Sequence, residues 1–390
     1  MIFETPSLGD EEMAVLGLLS QQRARLRDRV AQPRRWYGSL RRMAFARAVQ
    51  GSNSIEGYNA SLDDVVAAVE GEPMLDAEQE THLALTGYRD AMTYVLQIAD
   101  DASLRVDEGL LKGLHFMMLK HDLSKNPGRW RPGAIYIHRE TTDEIVYEGP
   151  PSDKVPALVA EMLQGIEESD DPVVVKAAMA HLNLTMIHPF SDGNGRMARC
   201  LQTLLLARDR VVAPVFSSIE EFLGRNTEAY YQVLEDVGAG GWHPDRDARP
   251  WLRFCLRAHY FQANTTMRRR QEIERIWLDC AKLAETHGLP ERSAAGLMDL
   301  TFGLRIRRGT YRSSVEAAFG EEISDLKASR DLKAMVDSEL VEAVGERRGR
   351  YYLAGEPLID LRRKVRAERP ERSHDDPFQL VRDSRQLRLA

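Results

Sequence analysis

Residues 188–199 read His-Pro-Phe-Ser-Asp-Gly-Asn-Gly-Arg-Met-Ala-Arg, and they place a base, a carboxylate, a glycine-rich turn and two arginines within twelve positions. Gly193, Asn194 and Gly195 let the backbone take positive φ and aim successive N–H groups into a concavity where a helix begins, which makes an anion cradle. The helix dipole adds about 0.3–1 kcal/mol for an anion held there. Arg196 and Arg199 stand three apart in the first turn, an end of the helix where two cations are locally unfavourable. A polyphosphate would neutralise both and use their forked donors. Asp192, one residue before the cradle, can hold Mg²⁺ against the same phosphates, since that ion is usually bound by one or two carboxylates plus phosphate oxygens. His188 is then placed to act as a general base on an attacking hydroxyl, a role worth about 10²–10⁴-fold in rate.

These groups need a rigid turn to hold them. Residues 172–187 are rich in Val, Ala, Leu and Met and read as a buried helix, with Asp171 placed to cap it. Beyond the cradle, Met197, Cys200, Leu201, Leu204 and Leu205 recur at helical spacing. The twelve residues therefore lie on a helix–loop–helix turn. Upstream, residues 128–151 hold two short β-prone runs, 134–138 and 144–147, joined by polar residues, and read as a β-hairpin.

The twelve-residue segment resembles the Fic motif, H-P-F-x-[DE]-G-N-G-R-x-x-R, and matches it at every defined position. The resemblance implies a mainly α fold, a Fic-type helical bundle with a small β-hairpin flap. It also implies an enzyme, a protein adenylyltransferase that moves AMP from ATP to a Ser, Thr or Tyr hydroxyl of a target protein and releases pyrophosphate. The roles carried over are His188 as base, Asp192 on Mg²⁺, Gly193, Asn194 and Gly195 around the α- and β-phosphates, and Arg196 and Arg199 on the β- and γ-phosphates. The hairpin would hold the target segment by strand addition, which needs unpaired backbone groups more than any one side chain.

Residues 52–57, Ser-Asn-Ser-Ile-Glu-Gly, resemble the inhibitory motif [ST]-x-x-x-E-[GN] of many Fic proteins. By that resemblance Ser52, Glu56 and Gly57 are autoinhibitory. Glu56 docked on Arg199 would occupy the guanidinium that should grip the γ-phosphate, leaving ATP an unproductive pose. A helix over 40–55, with Leu40, Met43, Ala44 and Ala48 on one face, would carry it, and a new helix is capped at Ser61 with Asp64 three residues on. Glu56 could also position water to hydrolyse an AMP-modified target, so removal of AMP is a second activity open to the same site. In 218–237, Tyr230 and Tyr231 are adjacent on a helix and only one can face the pocket; the resemblance to Fic proteins, in which an aromatic or amide residue near here lines the adenine site, assigns Tyr231 to it, with Asn226 the second choice.

The 390 residues, 43% hydrophobic with a net charge of −7, suffice for two or three domains and argue against a chain that coats nucleic acid or an anionic membrane. No twenty-residue apolar run or signal-peptide pattern occurs, which places the protein in the cytoplasm, away from membranes. Cys200, Cys255 and Cys280 are widely spaced in helical patterns and read as buried, reduced thiols.

The expected organisation is a helical region over 1–102 broken at Pro33, Gly57 and Pro73, a Fic domain over 103–260 closing on a helix at 251–260, connecting helices over 261–300 with a charged helix at 267–287, and a charged tail over 366–390. Residues 301–365 resemble a winged helix: a helix around Val315, a turn and recognition helix starting at 324–330, and strands at 340–344 and 350–353. Lys327, Arg330 and Lys333 would lie on that helix, and Arg347, Arg348 and Arg350 on the wing. Asp325, Asp331 and Asp337 on the same helix favour a protein-interaction module over DNA binding. The partners implied are ATP and a protein target, with a homodimer compatible. The reading from another class is a winged-helix DNA-binding regulator whose Fic core only senses nucleotide.

Overall fold

A computed structural model describes residues 1–30, 34–139, 142–210, 213–346, 349–369 and 375–389. Pro33, Arg347 and Arg348 lie outside the described residues. Four helices come first: α1 (Asp10–Val30), α2 (Tyr37–Ile55), α3 (Leu62–Val69) and α4 (Gln79–Ile98). As expected, Ser61 caps α3, its Oγ accepting from the Asp64 N–H at 3.1 Å. Glu56 closes α2, and Gly57 turns the chain away at φ +83°, where a side chain would be strained.

Next come α5 (Glu108–Leu119), strands β1 (Tyr136–His138) and β2 (Ile145–Glu148), then α6 (Val155–Glu168), α7 (Val173–Ile187), α8 (Asn194–Arg208), α9 (Glu220–Arg225) and α10 (Thr227–Gly238). β1 and β2 pair antiparallel as the expected hairpin, and β3 (Gly240–Gly241) adds to β2 in parallel, so β1 and the two-residue β3 are the edges. α7 is buried almost all round, as its composition requires, but Asp171 does not cap it. Pro172 occupies that position without a side-chain bond, and Asp171 instead closes a small turn with Ser169. α2 crosses α9 at very close range: a Cβ on Gly51 would stand 2.5 Å from the Glu220 carbonyl oxygen. Only glycine permits that approach.

The two helices expected at 251–260 and 267–287 are one, α11 (Arg249–Thr286), 38 residues long. The expected boundary at 260/261 thus falls inside a helix. Thr265 and Thr266, between the two expected helices, bond their hydroxyls back to the carbonyls of Phe261 and Gln262 within the unbroken helix. The first half of α11 packs Trp251, Cys255 and Leu256 into the core around α7 and α8. Its second half packs Ile273, Ile276, Trp277 and Cys280 into a separate core shared with the C-terminal elements.

Those elements are α12 (Ser293–Thr301), α13 (Arg308–Phe319), α14 (Asp325–Asp337), β4 (Val341–Val344), β5 (Tyr351–Ala354) and α15 (Glu356–Ala367). α13, α14 and the antiparallel β4–β5 hairpin lie within the 301–365 segment read as a winged helix, while α12 precedes it and shares its core. Ser324 caps α14, while Asp331 turns inward to accept from Arg292 (2.7 and 2.8 Å) and Tyr311 (3.0 Å). This unit sits directly on α2: Asp299 accepts from Arg42 at 2.5 Å and from Ser314 at 2.6 Å, all three buried. The tail is not featureless. Its last part forms α16 (Pro377–Leu389), which buries Phe378 and Val381 and ties Asp376 to Arg257. All three cysteines are buried and free, as expected. Among the described residues no helix is long and apolar enough to cross a membrane.

Candidate active site

His188 ends α7 in the left-handed region, φ +51°. Its carbonyl accepts from Arg131 Nε at 2.8 Å, and its Nδ1 lies 3.1 Å from the Thr185 carbonyl. A carbonyl only accepts, so Nδ1 carries the proton and Nε2 offers a lone pair. Burial, helped by the charge of Arg131, pushes the imidazole down to about 4 against the opposing Thr185 bond. The ring is therefore neutral near pH 7 and competent as a base.

The turn between α7 and α8 is held by residues of different function. Gly193 begins α8 at φ +73°, whereas Asn194 and Gly195 are already helical. Asn194 does not point at a ligand: its amide closes a ring with Phe190, accepting from the Phe190 N–H at 2.8 Å and donating to the Phe190 carbonyl at 2.9 Å. Its backbone N–H is what it leaves to the cradle. Gly195 is needed for room, not for positive φ, because a Cβ there would meet Glu56 Oε1 at 2.6 Å and Arg199 Nη1 at 3.0 Å. His115, unnoticed in the sequence, sets the loop from below. It stacks on Phe190 at 3.7 Å, accepts from the Gly128 N–H at Nδ1, and donates from Nε2 to the Asp192 carbonyl at 2.9 Å. Arg131 was also missed. It ties the His188 carbonyl to those of Gly133 and Pro150 and so joins hairpin to motif. A lone histidine on an apolar helix and an arginine among prolines carry no sequence signal of such roles.

The two arginines differ. Arg196 is 1% exposed, lies 4.0 Å from Asp192, and faces the Tyr58 ring at 5.2 Å. Among the described residues its Nε and Nη1 have no hydrogen-bond partner. A buried guanidinium left so is costly, and an anion at the cradle would relieve it. Arg199, equally buried, is occupied at two of its three nitrogens: Nε donates to Ser52 Oγ (2.7 Å), Nη2 to the Ser52 carbonyl (3.0 Å) and to Glu56 Oε1 (2.6 Å), while among the described residues Nη1 has no hydrogen-bond partner. Burial, the largest single influence, would lower its pKa, but Glu56 together with Tyr230 and Tyr88 makes the net shift upward. The structure brings Ser52 and Glu56 onto Arg199, and Gly57 supplies the turn after them.

Asp192 keeps its carboxylate 30% exposed, with Lys125 at 3.5 Å. Among the described residues no group of three His, Cys, Asp or Glu could enclose a metal ion. The donors present fit Mg²⁺ only as one carboxylate to be completed by phosphate oxygens. A cavity lined by Asp192, Lys125, His121 and Tyr58 adjoins it. Tyr231 is half exposed and donates from its hydroxyl to the Ile55 carbonyl at 3.0 Å, next to Glu56, while Tyr230 is buried against His181. Asn226 turns its amide to the Phe222 carbonyl.

Residues 105–206 match the model of the Fic/DOC family. The chain therefore carries a Fic domain. It is 29% identical over 224 residues to a protein adenylyltransferase Fic of Nematostella vectensis, covering 55% of this chain and 47% of that one. To protein adenylyltransferase fic-1 of Caenorhabditis elegans it is 29% identical over 219 residues, covering 52% and 37%. The chain spans less than half the length of these relatives. In fold it is similar to a Fic family protein of Desulfovibrio desulfuricans G20, with TM-score 0.58, 21% identity and 90% of this chain covered against 98% of that one.

Proposed function

We propose that the chain transfers AMP from ATP to a Ser, Thr or Tyr hydroxyl of a target protein, with Glu56 restraining the reaction. The observation that carries this reading is the contrast at the start of α8, where Arg196 is buried with two free donors and Arg199 is held by Glu56 and Ser52. A triphosphate would satisfy the first arginine and compete with Glu56 for the second.

In the step proposed, the target hydroxyl attacks the α-phosphorus, its proton passes to Nε2 of His188, the new O–P bond forms, and the bond to pyrophosphate breaks. His188 is ready for this because Thr185 fixes the proton on Nδ1. Asp192 would hold Mg²⁺ beside the phosphates, where the ion would offset charge on the leaving pyrophosphate. The backbone N–H groups at 193–195 would bind phosphate oxygens. The β1 edge, with exposed Tyr136 and Ile145 nearby, would take the target segment as an added strand. Tyr231, bonded to the end of α2, would border the adenine site and report the position of Glu56. The cytoplasm, with its ATP and reducing conditions, suits the three free thiols.

DNA binding by the C-terminal unit is less supported. Lys327 is paired with Glu321 and Lys333 with Asp337, so two of the three expected contact cations on α14 are engaged. The test is incubation of the chain and Glu56→Gly with ATP labelled on the α-phosphate. Label should enter protein with the variant and not when His188→Ala is added. Nucleotide binding without protein labelling by Glu56→Gly would overturn the reading.

A further inference from the structure

On the face of α2 away from Arg199 lies a cavity of about 390 Å³, closed by α2, α9, α11 and α15. Its volume is within the ~300–1,000 Å³ of small-molecule sites. Seven arginines line it against three carboxylates, Asp63, Glu221 and Glu272. Those carboxylates are already committed. Glu221 takes Arg225 and Arg269, Glu272 takes Arg369, and Asp63 takes Arg305 from outside the cavity. Arg47, Arg362 and Arg366 have no ion-pair partner within 4 Å among the described residues, and Arg47 Nε is buried without a hydrogen bond.

Burial, then repulsion from Arg269, lowers the Arg47 guanidinium to about 10, still charged near neutrality. Excess positive charge converging from four elements on an enclosed space is unfavourable unless an anion shares it. Leu40, Met43, Phe216, Ile273 and Phe302 give the wall an apolar part, beside the polar Ser61, Ser218, Gln262 and Thr266.

We infer that this cavity binds a small organic polyphosphate, its charged groups held by Arg47, Arg362 and Arg366 and its carbon skeleton laid on the apolar wall. The site is separate from the α8 cradle and does not depend on the transfer reaction. It shares α2 with Glu56: Arg47 precedes Glu56 by nine residues, about 13 Å along the helix axis.

The test is calorimetric titration of the full chain with inorganic triphosphate, in an Arg196→Ala background that weakens the cradle. Triphosphate should still bind. Arg47→Ala should weaken it at least tenfold, the worth of one charge-assisted bond. Arg366→Glu reverses an exposed charge without disturbing a core and should abolish binding. Arg363→Glu, one residue on and paired instead with Glu356 and Asp360, should leave it unchanged. The proposal is overturned if Arg196→Ala alone removes all binding, or if Arg366→Glu and Arg363→Glu behave alike.

Discussion

The two faces of α2 meet arginines in opposite ways. Toward α8, two arginines from one short stretch are sunk to 1% exposure, and their few partners come from Ser52, Glu56 and Asp192. Toward α15, seven arginines from distant parts of the chain converge on a cavity and outnumber their carboxylates. The first arrangement is built by a contiguous turn, so it holds a fixed geometry suited to chemistry. The second is built by packing of remote helices, so it holds charge without a single fixed pose, which suits binding.

The largest expected effect breaks the first face. His188→Ala should lower protein labelling by about 10²–10⁴-fold, because it removes the proposed base. Next, Asp299→Ala leaves the buried Arg42 with Glu70 as its one ion-pair partner, beside the Ser314 hydroxyl, and should cost about 3–5 kcal/mol, read as a shift in denaturant midpoint. If that loss leaves labelling by Glu56→Gly intact, the C-terminal unit supports α2 without setting the site. Third, Glu56→Gly removes one charge-assisted bond to Arg199 and should raise labelling about 10–100-fold.

pH sharpens the contrast further. His188 must be neutral to act, and with its pKa lowered to about 4 the labelling rate should stay level from pH 8 to about 6 and fall only nearer 4. Stability should behave differently. His181 and His259 are lowered to about 3 in the folded chain, so the unfolded chain binds more protons below its ordinary histidine pKa. Their contribution is complete above about pH 6.5 and is lost as pH falls toward 3, by up to about 1.4 kcal/mol per pH unit for each ring. The smallest effect tests the surface: Lys333→Ala, which breaks an exposed pair on α14, should move the melting temperature by no more than about 2 °C.

The catalytic turn was legible because its groups are consecutive and their types are chemical. Ser52 and Glu56 were legible as a pattern, but the use of the Ser52 carbonyl as well as its hydroxyl was not, since backbone acceptors leave no mark on residue type. The role of Gly195 was misread for a related reason: glycine marks either positive φ or close approach, and only the position of Glu56 decides between them. The arginine cavity was invisible, its residues lying between 47 and 369. α11 reads as two helices, at 251–260 and 267–287, because the packing of its two halves into separate cores leaves no local mark in the sequence. α16 was passed over because its buried stripe is only Phe378 and Val381.

The unbroken course of α11 bears on how the molecule comes apart. At 38 residues it runs about 57 Å, one end clamped by Trp251 in the catalytic core and the other by Trp277 in the C-terminal core. Melting either core would leave half of a long amphipathic helix with its apolar stripe in water, at a cost the helix could not meet alone. Heat should therefore undo both cores in a single calorimetric transition, and two resolved peaks would mean that the helix can be cut in the middle without loss.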